Sequence, residues 1–137
     1  MSDAMQAFFE RTVRQLEAVP PGQPLVMINL LRYREHAVYP PGTDAAPCSG
    51  EAAYARYARS ALGFVAGVGG RVVWRGKAQA MVLGPSSERW DDALLVEYPS
   101  REAFLKMIAS PDYRAITIHR TAALEDSRLI ATLPATD

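Results

Sequence analysis

Residues 90–116 read WDDALLVEYPSREAFLKMIASPDYRAI. Residues 92–98 form a mostly apolar run of strand length. Pro99 and Ser100 end it, and Ser100 is a favourable N-cap with Glu102 placed in the positive first turn of the helix that follows. Phe104, Met107 and Ile108 recur at helical spacing and form that helix's inner face. Ser110-Pro111-Asp112 restarts a helix in the same way, with a capping serine and proline at the first helical position. This second segment runs to about Leu124. A strand over 127–133 follows, and Pro134 ends it.

Upstream the pattern repeats. The spacing predicts a strand over 71–83, with Gly76 as a bulge, closed by the turn Gly84-Pro85-Ser86-Ser87. Before it, Tyr54, Tyr57, Ala61, Phe64 and Val65 make the apolar stripe of a helix over 50–66, which Gly67, Gly69 and Gly70 stop. The first strand spans 24–33. Its core, Leu25-Val26-Met27-Ile28-Asn29-Leu30-Leu31, is apolar on both faces except at Asn29, as in a strand covered on both sides. Residues 34–49 hold three prolines and a glycine and read as a loop. An amphipathic helix over 4–18 precedes, with Met5, Phe8, Phe9, Val13 and Leu16 on one face and Ser2 or Asp3 as its cap. Pro20, Pro21, Gly22 and Pro24 end it. The chain thus divides into an N-terminal helix and linker, 1–23, and a main domain, 24–137.

Strand, helix, strand, strand, helix, strand is the ferredoxin-like β-α-β-β-α-β order. It predicts an α+β fold: a four-stranded antiparallel sheet with two core helices on one face. The other face is also apolar. Leu25, Met27 and Leu31 alternate with Val26, Ile28 and Leu30, and Leu94, Val96 and Tyr98 alternate with Ala93, Leu95 and Glu97. An apolar face of that size marks an interface. A second sheet from an identical chain would cover it and give a dimeric α+β barrel.

Composition excludes several classes. A chain of 137 residues suits one domain with its own core. Lysine plus arginine balance aspartate plus glutamate at 15 each, without the basic stripe of a nucleic-acid binder. Cys48 is the lone cysteine, so no intrachain disulfide and no cysteine-based zinc site forms. The first ten residues do not read as a signal peptide and no stretch reads as a membrane helix, so a cytoplasmic protein is expected. There is no phosphate loop, no histidine pair at metal spacing and no nucleophile elbow, and no cofactor or metal is expected.

The candidate site residues are polar groups in apolar contexts. Asn29 either ties neighbouring strands or orients a ligand. Glu97 either forms a strand-end salt bridge, for instance to Arg75, or is a desolvated carboxylate fit for acid-base work. His119 is either a dipole partner at a helix C-terminus or an acid-base group. Arg120 either pairs with Asp126 or holds an anionic ligand. Arg32, Tyr33, Trp74 and Arg75 sit at strand positions that would frame a cavity mouth, although Trp74 also reads as core and Tyr54 and Tyr57 as helix-to-sheet packing. Any site is expected where the inner sheet face meets the helix ends, drawing on Asn29, Glu97 and His119.

The segments 90–100, Ala103-Phe104 and 110–116, together with 26–33 and 69–76, resemble the bacterial domain-of-unknown-function family 1330 over about residues 24–133. The resemblance implies the dimeric α+β barrel and no assigned reaction. By fold analogy, such barrels include cofactor-independent oxygenases, isomerases and dehydratases. The expectation is therefore a homodimer binding a small organic molecule, with or without catalysis. The other reading is a non-catalytic, stress-associated accessory homodimer with a filled barrel.

Overall fold

The computed structural model describes residues 3–136. Along the chain lie α1 (Asp3–Leu16), β1 (Leu25–Tyr33), α2 (Gly50–Gly67), β2 (Arg71–Lys77), β3 (Asp92–Tyr98), α3 (Arg101–Ala109), α4 (Pro111–Ala123) and β4 (Leu124–Thr132). The strands pair antiparallel in the order β2-β3-β1-β4. This is the ferredoxin-like order, with α3 and α4 together filling the place of the second helix.

Local chemistry sets the helix boundaries. Ser49, Ser100 and Ser110 each accept from the backbone N–H three residues on, at 3.0, 3.1 and 3.4 Å. Each such cap stabilises its helix by about 1 kcal/mol. Ser110 caps α4 while its own N–H closes α3 on the Met107 carbonyl, so one residue joins the two helices. The N-cap expected for α1 at Ser2 lies outside the described residues, and Asp3 stands inside the helix. The Arg101 guanidinium, which hydrogen-bonds the carbonyls of Leu16 and Val19, fastens the end of α1.

Two predicted strand limits need correction. β2 ends at Lys77 instead of reaching Leu83. Its partner β3 starts at Asp92, so after the Ala78 N–H reaches the Asp91 carbonyl the chain has nothing left to pair with. Val82 and Leu83 are consequently 88% and 90% exposed. β4 starts at Leu124, earlier than residue 127, because β1 extends far enough for Tyr33 to pair with Leu124 across a register shift. The irregularity in β2 lies between Val72 and Trp74, not at Gly76. Gly76 instead makes room for the Trp74 ring, since a Cβ there would lie 2.4 Å from it.

Register assigns the paired strand residues to two faces. On one side the cross-strand rows are Val72–Val96–Met27–Ala131, Arg75–Leu94–Asn29–Leu129 and Lys77–Asp92–Leu31–Ser127. All four helices lie on this side. Leu25, Met27, Leu31, Val96 and Tyr98 form the core there with Tyr54, Tyr57, Phe104, Met107 and Ile108. On the outer side the rows are Arg71–Glu97–Val26–Thr132, Trp74–Leu95–Ile28–Ile130 and Gly76–Ala93–Leu30–Arg128. No described helix covers this face. Among the described residues, Trp90 and Glu88 of the β2–β3 connection reach its corner, against Arg128. The middle row is wholly apolar, and Trp74 is 54% exposed, contrary to a place in the core.

Candidate functional site

The sheet and the helices do not close fully on each other. Between them lies a cavity of about 690 Å3, within the range of sites for drug-sized molecules. Its floor is the row Arg75–Leu94–Asn29–Leu129 with Met27, Val96 and Tyr98 beside it. One wall is α2, through Tyr54, Tyr57, Ala58, Ala61 and Val65, where the small alanines leave the space. The opposite wall is α4, which presents Tyr113, Arg114, Thr117, Arg120 and Thr121 at spacings of three and four, a single helix face. Phe104, Met107 and Ile108 of α3 close one end, and Met5, Phe8 and Phe9 of α1 complete it.

The polar groups around it fall into three sets. Tyr57 and Tyr113 share a hydrogen bond of 2.6 Å and satisfy each other. Burial pushes the Tyr54 hydroxyl up to about 12. It also raises the hydroxyls of Tyr33, Tyr57, Tyr98 and Tyr113. They are therefore protonated hydrogen-bond donors at neutral pH. The second set is a buried acid. Asp92, 1% exposed, accepts from the Tyr33 hydroxyl and from Arg75 at 3.2 Å, both on Oδ2. Its Oδ1 has no hydrogen-bond partner among the described residues. The third set is open to the cavity: the Asn29 amide, whose Nδ2 donates weakly to the Met27 carbonyl at 3.4 Å, and the Arg120 guanidinium.

Asn29 and Arg120 thus line the same cavity, with Arg75 at its edge and Tyr33 packed on Tyr54 at 5.6 Å behind it. The other candidates lie elsewhere. Glu97 pairs with Val26, so its side chain is on the outer face, where it accepts from Arg71 at 3.1 Å and not from Arg75. Trp74 and Arg32 are on that face as well. Arg32 lies 3.4 Å from Glu125 without hydrogen-bond alignment. His119 is on the far side of α4, with Nδ1 2.8 Å from the Tyr39 hydroxyl and the two rings edge to face. Arg56 donates to the same hydroxyl, so the cluster fixes the 34–49 loop to the helices. The expected meeting of Asn29, Glu97 and His119 does not occur. Nor does Arg120 pair with Asp126, whose carboxylate is taken by Arg128 at 2.7 Å. Among the described residues no cluster could hold a metal ion, and no helix is long and apolar enough to cross a membrane.

Sequence reasoning missed Asp92 and the inward stripe of α4. Asp92 is an acid at the first position of an apolar strand, and Arg114, Thr117, Arg120 and Thr121 follow helical spacing, so both carried a readable signal.

Comparison with known proteins places the chain among uncharacterised relatives. No curated protein matches it. The crystal structure of the methylated RPA0582 protein is similar at 41% identity and a TM-score of 0.83, covering 93% of this chain and 92% of that one. A structure of the RPA0582 protein of unknown function from Rhodopseudomonas palustris is similar at 40% identity and a TM-score of 0.82, covering 93% and 95%. The family model described as a domain of unknown function, DUF1330, matches residues 48–132, a span that begins after β1 and takes in the other three strands and α2 to α4. The chain belongs to the DUF1330 family.

Proposed function

We propose that the protein binds a small organic molecule in the cavity between its helices and its sheet, and that it works as a homodimer joined through the outer sheet face. The observation that carries the first part is the cavity itself. It is mostly apolar, of ligand size, and edged by an amide, hydroxyls and guanidinium groups. These groups bind and orient a ligand by donating hydrogen bonds and positive charge.

The second part rests on the outer face. Val26, Ile28, Leu30, Leu95, Trp74 and Ile130 stand side by side there, and the ion pairs Arg71–Glu97 and Arg128–Asp126 rim them. With strands about 4.8 Å apart and about 3.3 Å per residue, the face has a footprint on the order of 440 Å2. A stable interface buries about 800 Å2 of accessible surface per partner. Exposed Met81, Val82 and Leu83 on the connection leaving this sheet supply further apolar surface. An isologous pairing uses the same patch on both copies.

The binding reading is tested by a thermal-shift screen of aromatic and carboxylic metabolites against the wild type and Ala58→Trp, which fills the cavity from α2. A ligand at a hundred times its Kd adds about 2.7 kcal/mol, several degrees for a chain of this size. Hits that stabilise the wild type and not Ala58→Trp support the reading. A screen without hits, or hits indifferent to Ala58→Trp, leaves the accessory homodimer as the better account.

A further inference from the structure

The cavity wall carries an electrostatic imbalance. Three guanidinium groups line it, from Arg75, Arg114 and Arg120, and none of the lining residues is acidic. Two of the three are engaged. Arg75 donates to Asp92 at 3.2 Å. Arg114 donates through Nε to the Ile108 carbonyl at 2.9 Å and lies over the Phe9 ring at 5.4 Å. Arg120, half-buried, makes no hydrogen bond, ion pair or ring contact with any described residue. A guanidinium drawn out of water calls for a counter-charge.

Its surroundings indicate what that charge is attached to. α4 and α2 run antiparallel, with Phe64 on Tyr113 at one end and Gly50 against Ala123 at the other. Arg120 therefore lies toward the Tyr54 end of α2, about 9 Å along the axis from Arg114. Its positive charge opposes the rise of the Tyr54 hydroxyl, as it does for Tyr57 and Tyr113, which places it within electrostatic range of all three. The Tyr54 hydroxyl also has no hydrogen-bond partner among the described residues, and the Asn29 amide makes only its one long bond. Toward the other end the cavity is walled mainly by Phe9, Phe104, Met107 and Ile108, and the one charge there, Arg114, is already committed to the Ile108 carbonyl and the Phe9 ring.

We infer that the ligand is an organic monocarboxylate with an apolar body, its carboxylate held by Arg120 with Tyr54 and Asn29 and its body directed toward α3 and α1. This rests on the binding reading above and names the ligand class for that cavity. A guanidinium offers parallel N–H donors that match the two carboxylate oxygens, and the protonated Tyr54 hydroxyl adds a third donor.

The test compares acids with their neutral amides by isothermal titration calorimetry on the full chain at pH 7.5. The probes are 2-naphthoate against 2-naphthamide and octanoate against octanamide. For at least one pair the acid should bind at least tenfold tighter, with the preference lost in Arg120→Gln and largely kept in Arg120→Lys. Circular dichroism and melting verify that both variants fold, and Tyr54→Phe offers a second probe of the head group, with an expected three- to tenfold loss for the acid only. Equal binding of acid and amide overturns the inference, as does a preference that survives Arg120→Gln. Equal binding that Ala58→Trp abolishes still leaves the cavity as a binding site. If none of the four probes binds, the inference fails, and the thermal-shift screen decides the binding reading.

Discussion

Replacing Trp74 with alanine should break the proposed dimer and leave the protomer folded. Trp74 is 54% exposed on the outer sheet face, in one row with Leu95, Ile28 and Ile130. A tryptophan offers about 250 Å2, so roughly 135 Å2 is available for burial against a partner. At about 25 cal/mol per Å2 this is roughly 3 kcal/mol for each protomer. An isologous interface carries the substitution twice. Even if only half of the exposed area is covered, the dimer loses about 3 kcal/mol, more than a hundredfold in Kd. Sedimentation velocity over a dilution series should show a wild-type dimer at micromolar concentration and a Trp74→Ala monomer under the same conditions. The far-ultraviolet circular dichroism of the variant should be unchanged, because an exposed side chain contributes little to the protomer's core. A wild type that is monomeric throughout, or a Trp74→Ala dimer of unchanged strength, would refute the reasoning from the outer face.

Two further outcomes follow from local geometry. A Cβ on Gly50 would lie 2.2 Å from the Arg34 carbonyl and 2.7 Å from that of Ala123, both backbone atoms with little room to move. Gly50→Ala should therefore cost on the order of 2–3 kcal/mol, seen as a fall in melting temperature of several degrees, and an unchanged melting curve would show that the loop junction yields. Acid should loosen the seat of α1, because the Gly22 N–H and then Arg101 hold the Glu102 carboxyl below its usual range. A depressed folded pKa gives stability that is complete above the unfolded value of about 4.3 and is lost as pH falls through the lower folded value. The melting difference between wild type and Glu102→Gln should thus be present at pH 6 and shrink as acid protonates the carboxylate, and a difference that does not fall with pH would contradict this.

Helix positions were legible in the sequence because serine caps and apolar spacing are local signals. Ser100 and Ser110 cap where the pattern placed them. The end of β2 was not legible. Residues 78–83 have strand composition, but a strand needs a partner, and the length of β3 decides where the partner stops. The site was half legible for a related reason. Asn29 and Glu97 both interrupt apolar strands and look alike in composition. They part company because β1 and β3 are separated in the chain by α2 and β2, so no hairpin turn fixes their register and hence which faces coincide. Register pairs Asn29 with Leu94 toward the helices and Glu97 with Val26 away from them. His119 was misjudged by one position. It precedes Arg120, which is about 100° around the helix, and that rotation turns Arg120 into the cavity and His119 toward Tyr39.

Each face of the sheet departs in part from the usual distribution of polarity. Toward the helices, where an apolar core is the rule, α4 presents two arginines and two threonines and the floor carries Arg75 and Asn29. Away from them, where a sheet facing water is polar, the middle row is tryptophan, leucine and two isoleucines. Each anomaly would be costly in an isolated, empty protomer, through unpaired polar groups on one side and exposed apolar area on the other. The proposed carboxylate ligand would answer the first and the proposed second copy of the chain the second. The two answers are separable, because neighbouring residues of one strand face opposite ways. Leu94 lines the cavity and Leu95 lies on the outer face. Ala58→Trp should therefore abolish binding while the dimer persists. If it also dissociated the dimer, the cavity and the outer face would have to be treated as a single coupled structure.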